Sequence, residues 1–484
     1  MELAQSVLPA PSLNTKGVVP ASSSVLQKVE INPTSSTTYT VGASNQNLLF
    51  EIPPSNYNFS KSYLSFTFTA AAAGAGVAHM HYSHIPPIQQ MQFRGQGGNI
   101  SLVDLSDFGG YWAATRGFEK QQTWQKESPT FLDATAIPAG TITNSGQRYH
   151  ACSGDFKAID EKVVTCYRAN QAGAITAIPS NATATQYVAI GSDATASAFT
   201  FRLDFSQLYG TVLALDKVIP CRQRMNLVLS MATLNQMFAD IGAGGIVATT
   251  AAVTVTTSLT LMQEVNPIVN NALAQKVDTG NFDLLIPYVS QSSFATTAST
   301  RNTAQFNNSA NGAVNLLGHL ISPMIADSSA AAVALRGSAY DFNGVLIQNH
   351  QGLLNNFALD VQQIDHTNPS ADDWRVYEKF LRKGAVNQSD FLSLYKVMVY
   401  WYGAIQDLSE TNWDLAQGYN ILNLNPGMFQ LRHLSGATAS NLVCNAIYQI
   451  SVKASPSGLV YNSSAPVNHI APTPMPLQAA SQLM

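Results

Sequence analysis

The residues best suited to chemistry sit in one short run, His79-Met-His81-Tyr-Ser-His84. In an extended chain His79 and His81 share a face, and imidazole is a common ligand for zinc and copper. No cysteine or carboxylate lies in or beside the run to complete a ligand set. Its flanks, the Ala-rich Ala70–Ala78 and the pair Pro86-Pro87, are those of a loop. The expectation is a solvated or interface loop, with His79, His81 and His84 as the metal-ligand candidates and pH sensing as the other use of three imidazoles.

Other motifs are weaker. Asp107-Phe-Gly109 has the letters of a kinase metal-binding tripeptide, but the chain lacks the Gly-rich loop, the Val-Ala-x-Lys strand and the His-Arg-Asp loop that would accompany it. Gly95-Gln-Gly97-Gly98 is followed by neither Lys-Ser/Thr nor a helical pattern, so it reads as a hairpin turn rather than a phosphate cradle. HExxH, GxSxG and CxxC do not occur. Asp155, Asp160, Glu161 and Asp204 are the carboxylates considered for a glycosidase pair, which needs closeness in space. With 29 acidic residues in 484, solvated surface is the default for each. Arg375, Lys379, Arg382 and Lys383 fall on a predicted helix, and Arg148, Lys157, Lys162 and Arg168 are dispersed; both sets read as solvated faces rather than a phosphate-binding stripe. Asn-x-Ser/Thr triplets at Asn181 and Asn307 carry little weight without an export signal. The expectation is a protein that is not an enzyme, with no catalytic residues and no cofactor.

Composition gives a more direct lead. Charged residues make up 11% of the chain, against about 25% in an ordinary soluble protein. Such a surface is poorly suited to staying dispersed and well suited to being covered by copies of itself. The formal net charge of −4 provides no basic field for nucleic acid. No apolar run reaches the roughly 20 residues needed to span a bilayer, and the opening residues lack a secretory pattern. Cys152, Cys166, Cys221 and Cys444 are scattered, which fits reduced thiols in a protein made in a cytosol.

The elements that would position these residues are mostly short strands. Ser62-Tyr-Leu-Ser-Phe-Thr-Phe-Thr69 places Leu64, Phe66 and Phe68 on one face and Tyr63, Ser65, Thr67 and Thr69 on the other, the period of a half-buried strand. Met91–Leu102 reads as a hairpin, and further strands fall at 29–31, 47–52, 198–205, 225–230 and 253–261. A break at Glu264-Val-Asn-Pro267 precedes a second set at 282–286, 314–321, 344–347, 391–401, 419–424 and 445–452. The clearest helix is 371–383, with Asp372 and Asp373 in its first turn, Arg382 and Lys383 in its last, and Gly384 as its stop. The expected organisation is an arm over 1–26, a β domain over 27–263 with a long insertion at about 123–196, a second β domain over 264–456 that carries the helix, and a tail over 457–484. The expected class is all-β: two consecutive antiparallel sandwiches, for which jelly rolls are one solution, with long loop insertions and few short helices.

Residues 199–231 carry a resemblance. The strand Phe199-Thr-Phe-Arg-Leu203 leads to the turn Ser206-Gln-Leu-Tyr-Gly210, then to Leu215-Asp-Lys-Val-Ile-Pro220 and the strand Met225–Met231. This order resembles the end of the first roll in double jelly-roll major capsid proteins of icosahedral DNA viruses, a lineage that includes virophages, polinton-like viruses and tailless membrane-containing phages. Gly97-Gly-Asn-Ile-Ser-Leu-Val-Asp104 is similar to that family's Gly-rich turn and following strand, and Leu259–Val265 to its crossover between rolls. The resemblance covers most of residues 28–455, by layout more than by letters.

The resemblance implies two eight-stranded jelly rolls and a homotrimer of pseudo-hexagonal outline that meets neighbouring capsomers. Insertions would face outward to a host receptor or decoration protein. The termini would lie inside, near penton and minor capsid proteins and an internal membrane or genome. The location implied is the virion. The rival readings are a carbohydrate-binding or carbohydrate-cleaving β-sandwich and an adhesin. Both usually need export, and the chain shows no clusters for sugar or calcium.

Overall fold

The computed structural model describes residues 24–40, 46–70, 77–81, 88–115, 187–192, 195–233, 238–242, 245–248, 253–280, 282–325, 347–354, 357–358, 398–401, 419–420, 428–435 and 439–462. The first half runs β1 (Leu26–Ile31), β2 (Thr38–Thr40), β3 (Asn47–Ile52), β4 (Ser55–Ala70), β5 (Val77–His81), β6 (Ile88–Gly95), β7 (Ser101–Leu105) and the helix α1 (Phe108–Thr115). It continues through β8 (Tyr187–Ser192), β9 (Thr195–Asp204), β10 (Val218–Cys221), β11 (Met225–Met231), β12 (Phe238–Gly242), β13 (Gly245–Ala248) and β14 (Val253–Glu264). The helix α2 (Pro267–Asp278) follows, and then β15 (Phe282–Ala295), β16 (Arg301–Asn307), β17 (Ala313–Ile325), β18 (Ile347–Leu354) and β19 (Phe357–Ala358). The last strands are β20 (Met398–Trp401), β21 (Tyr419–Asn420), β22 (Met428–Ser435), β23 (Ser440–Ser455) and β24 (Gly458–Tyr461).

These strands form four sheets in two facing pairs. In the first half, the order β1-β14-β4-β9-β8-β5-β12-β13, with β2 on β14 and β10 on β4, faces the order β3-β11-β6-β7. In the second half, β15-β23-β17-β20, with β21 on β17 and β24 on β23, faces β16-β22-β18-β19. Among the described residues, no strand of the first half pairs with one of the second.

The period of two read in β4 places its side chains as expected. Leu64 and Phe66 are buried, while Tyr63, Ser65 and Thr67 are half-exposed. Register turns the inward positions into apolar rows: Leu203, Leu64 and Leu259 lie side by side across three strands of one sheet. Phe50, Leu227 and Phe93 form the corresponding row in the facing sheet. Phe59 of β4 meets Phe93 of β6 edge-on across the sandwich, with centroids 5.1 Å apart. Each such buried side chain contributes roughly 1.5–3 kcal/mol. The second sandwich is centred on Phe429, on which His319 stacks at 4.3 Å and Tyr400 leans at 5.1 Å.

The segment that reads as a break at Pro267 is the start of α2. Asn266 caps it by accepting a hydrogen bond from the Ile268 N–H at 3.0 Å, and Pro267 occupies the first turn, where its missing N–H costs nothing. Val269, Leu273 and Val277 make its buried stripe. Strand β24 falls within the range read as a tail. It pairs with β23 through a tight hairpin in which Gly458 takes φ +131°, a conformation that suits glycine alone. The predicted helix 371–383 and all of the insertion 123–196 except its last strands, β8 and the start of β9, lie outside the described residues.

Candidate functional site

Of the histidine run, His79 and His81 fall on β5, while His84 lies outside the described residues. Among the described residues no three His, Cys, Asp or Glu side chains gather as a metal site would require. Asp155, Asp160 and Glu161 also lie outside the described residues. Asp204 is held by a cation: Arg202 Nε donates to its Oδ1 at 2.7 Å. Burial raises its pKa, and Arg202 opposes the rise. The Arg202 guanidinium in turn stacks on Tyr63 at 3.8 Å. Cys221 and Cys444 are buried free thiols. No helix among the described residues is long and apolar enough to cross a membrane.

The kinase-like letters have a structural use. Asp107 caps α1, its Oδ1 accepting from the Gly110 N–H at 2.9 Å. Burial pushes this carboxyl upward, and the N–H donors of Gly110 and Gly109 hold it back in part. The helix, Phe-Gly-Gly-Tyr-Trp-Ala-Ala-Thr, is apolar almost all round. Phe108, Tyr111, Trp112 and Ala114 are all buried, as such a pattern requires. A helix of eight residues with two glycines has little stability alone, so packing must hold it in place.

That packing joins the two sandwiches. On one side the Tyr111 hydroxyl donates to the Tyr209 carbonyl at 2.6 Å, inside the first half. On the other, α1 lies on β17 and β23 of the second half: the Ser322 hydroxyl donates to the Gly110 carbonyl at 2.8 Å. A Cβ at Gly110 would stand 2.7 Å from Val443, so only glycine lets the helix approach so closely. Residues 442–452 of β23 are buried without a break; α1 of the first half meets this strand at Val443, and α2 packs on it as well.

Gln291 of β15 is the polar pin of this junction. Its Oε1 accepts from the Asp107 N–H at 3.0 Å, and its Nε2 donates to the Asp107 carbonyl at 2.9 Å and to Asn445 Oδ1 at 2.6 Å. Lower down, the Tyr461 hydroxyl donates to the Ser101 carbonyl at 2.7 Å and accepts from the Ser101 N–H at 3.0 Å. Gln223 fits between the turn at Gly95–Asn99 and the hairpin at Gly458. These groups are amides, hydroxyls and a helix-capping carboxylate, and they fix the two bodies together. Gly110, Gln291 and Tyr461 belong to no motif legible in the sequence. The one local signal is the Gly-Gly pair inside an otherwise largely apolar helix.

No protein-family model matches the chain, and no curated protein does. Solved structures do. A chain of the PBCV-1 virus capsid superposes with TM-score 0.51 at 10% identity, over 91% of this chain and 97% of that one. PBCV-1 VP54, in a crystal structure fitted into a reconstruction of the virophage Sputnik, superposes with TM-score 0.50 at 9% identity, again over 91% and 97%. The chain is a double jelly roll. In this double jelly roll the two sandwiches are the rolls, and the junction built from α1, Gln291 and Tyr461 is the contact that sets one roll against the other.

Proposed function

We propose that this double jelly roll is a major capsid protein, a building block of an icosahedral viral shell rather than a catalyst. The observation that carries the reading is the pairing of two jelly rolls in one chain over nearly the whole length of the PBCV-1 capsid chain. The charge-poor composition supports it, since a subunit with 11% charged residues gains from having its surface covered. The pinned junction supports it too, because a shell tile must present both rolls at one fixed angle.

The subunit assembles as a homotrimer of pseudo-hexagonal outline that packs against neighbouring capsomers, penton and minor capsid proteins. Residues 27–263 and 264–456 act as its two domains. The insertion within about 123–196, with help from 325–342, faces outward toward a receptor or decoration protein; 295–312, also expected there from the sequence, instead carries the core strand β16 with Ala304 and Phe306 buried. The arm 1–26 and the tail beyond β24 face inward, toward a membrane or genome. The protein is made in the host cytoplasm and resides in the virion.

Electron microscopy of the purified protein, with native mass measurement, tests this. Trimers and hexagonal capsomers or closed shells are expected; a monomer at micromolar concentration that never forms such particles would overturn it. An epitope tag at Gly173 tests the orientation. It is expected to bind antibody on intact particles, and a tag reached only after the shell is broken would reverse the assignment.

A further inference from the structure

We infer that β1 is a detachable strap, closed at its leading end by the side chain of Glu264. This inference concerns the free subunit and stands apart from the capsid reading. Glu264 ends β14 and is almost wholly buried, at 1% exposure. Its Oε1 accepts from the main-chain N–H of Val25 at 2.9 Å and of Asn266 at 2.8 Å, and its Oε2 accepts from the Ser24 hydroxyl. The Val265 N–H donates to the Val25 carbonyl at 2.8 Å beside it. Asn270 of α2 donates to the Glu264 carbonyl at 3.1 Å and accepts from Asn56 of β4 at 2.7 Å. One carboxylate thus ties together the segment that enters β1, the end of β14 and the cap of α2. None of its three donors carries a charge.

The strand it closes has little else to hold it. None of the six side chains of β1 is fully buried, and Ile31, at the far end, is the one that packs against the core. Lys28 stands 5.7 Å above the Tyr63 ring and hydrogen-bonds the Tyr63 side chain, contacts that are weak at an exposed site. Among the described residues β1 pairs with β14 alone, over Leu26–Ile31 against Glu264–Leu259. Segments with few buried apolar contacts and solvent-facing ladders open locally at low free energy. The strap is therefore fixed at two points, Glu264 at its start and Ile31 with the buried Pro33 at its end. Opening the first frees residues 24–30 as a unit, hinged at the second, and uncovers the main-chain edge of β14.

Hydrogen exchange on the full chain, read by mass spectrometry, tests this. Glu264→Ala is expected to speed exchange in residues 24–31 by about tenfold to a hundredfold, the effect of losing one or two charge-assisted hydrogen bonds. Peptides from β4 and β6 should stay at the wild-type rate. Glu264→Gln keeps an acceptor oxygen for the two N–H groups and is expected to return residues 24–31 to within about threefold of wild type. Exchange that is unchanged in Glu264→Ala, or that rises equally across β4 and β6, would overturn the inference. If Glu264→Ala does not fold, Ser24→Ala decides. Faster exchange confined to residues 24–31 supports the strap, and a flat profile refutes it.

Discussion

Placing a methyl group at Gly110 tests the junction between the rolls. An ideal Cβ there lies 2.7 Å from both Cβ and Cγ1 of Val443 and 2.9 Å from its Cγ2. Carbon atoms in good contact stand about 3.5–4.0 Å apart, so helix and strand must separate by about 1 Å. Val443 cannot turn away readily, because a β-branched side chain has few χ1 options. Overpacking of this kind costs about 1–3 kcal/mol. Against it, alanine is better than glycine inside a helix by about 1 kcal/mol. Gly110→Ala is therefore expected to destabilise by about 1 kcal/mol net. In a Val443→Gly background, which removes the Cβ as well as both Cγ atoms, the clash is gone and the new methyl fills the space left behind, so the same substitution is expected to stabilise by about 1 kcal/mol. The coupling between the two sites is then about 2 kcal/mol, within the range for residues in contact. Urea denaturation of the four proteins at one fixed subunit concentration measures it. Equal effects of Gly110→Ala in both backgrounds, to within about 0.5 kcal/mol, would show that α1 does not rest on Val443.

Gln291→Leu should leave the Asp107 backbone groups and Asn445 without their partner and cost about 1–3 kcal/mol; in calorimetry the rolls should then melt in two transitions closer to independence. His319 is buried against Phe429, and burial lowers its pKa to about 3 from an ordinary 6.5. Between those values the unfolded chain binds the extra proton, so stability is full above pH 6.5 and falls as pH drops toward 3, by up to about 1.4 kcal/mol per unit from this residue. His319→Leu should flatten that acid limb, and denaturation midpoints at pH 7 and pH 5 check it. Burial pushes the Cys221 thiol up to about 12 and raises that of Cys444, so neither should be labelled by a maleimide at pH 8 in the folded protein. Peptide mapping after brief exposure reads this, and modification of either residue before unfolding would contradict its burial.

Local pattern determined much of this molecule. The alternation in Ser62–Thr69 told which face of β4 is buried, because successive side chains on a strand must point to opposite sides. The Gly-rich hairpin Met91–Leu102 and the order of strand, turn and strand over 199–231 were legible for the same reason: each depends on residues a few positions apart. The charge-poor composition indicated covered surface without any coordinate. The helix at Pro267 was missed because proline both interrupts strands and opens helices, and the choice between them rests on the Asn266 cap and on what Val269, Leu273 and Val277 find to pack against.

Tertiary structure alone decided how the rolls meet. Asp107 reads as a stray motif until Gln291, 184 residues away, is seen holding its backbone. Residues 442–452 of β23 show no alternation of burial, because elements distant in sequence, α1 of the first roll and α2, pack on this strand. Gly110 is required by Val443, and Glu264 is buried by the segment at Ser24, 240 residues before it. Periodicity reports the geometry of one element. Which of its faces meets another body depends on chain closure over hundreds of residues, and no local pattern encodes that.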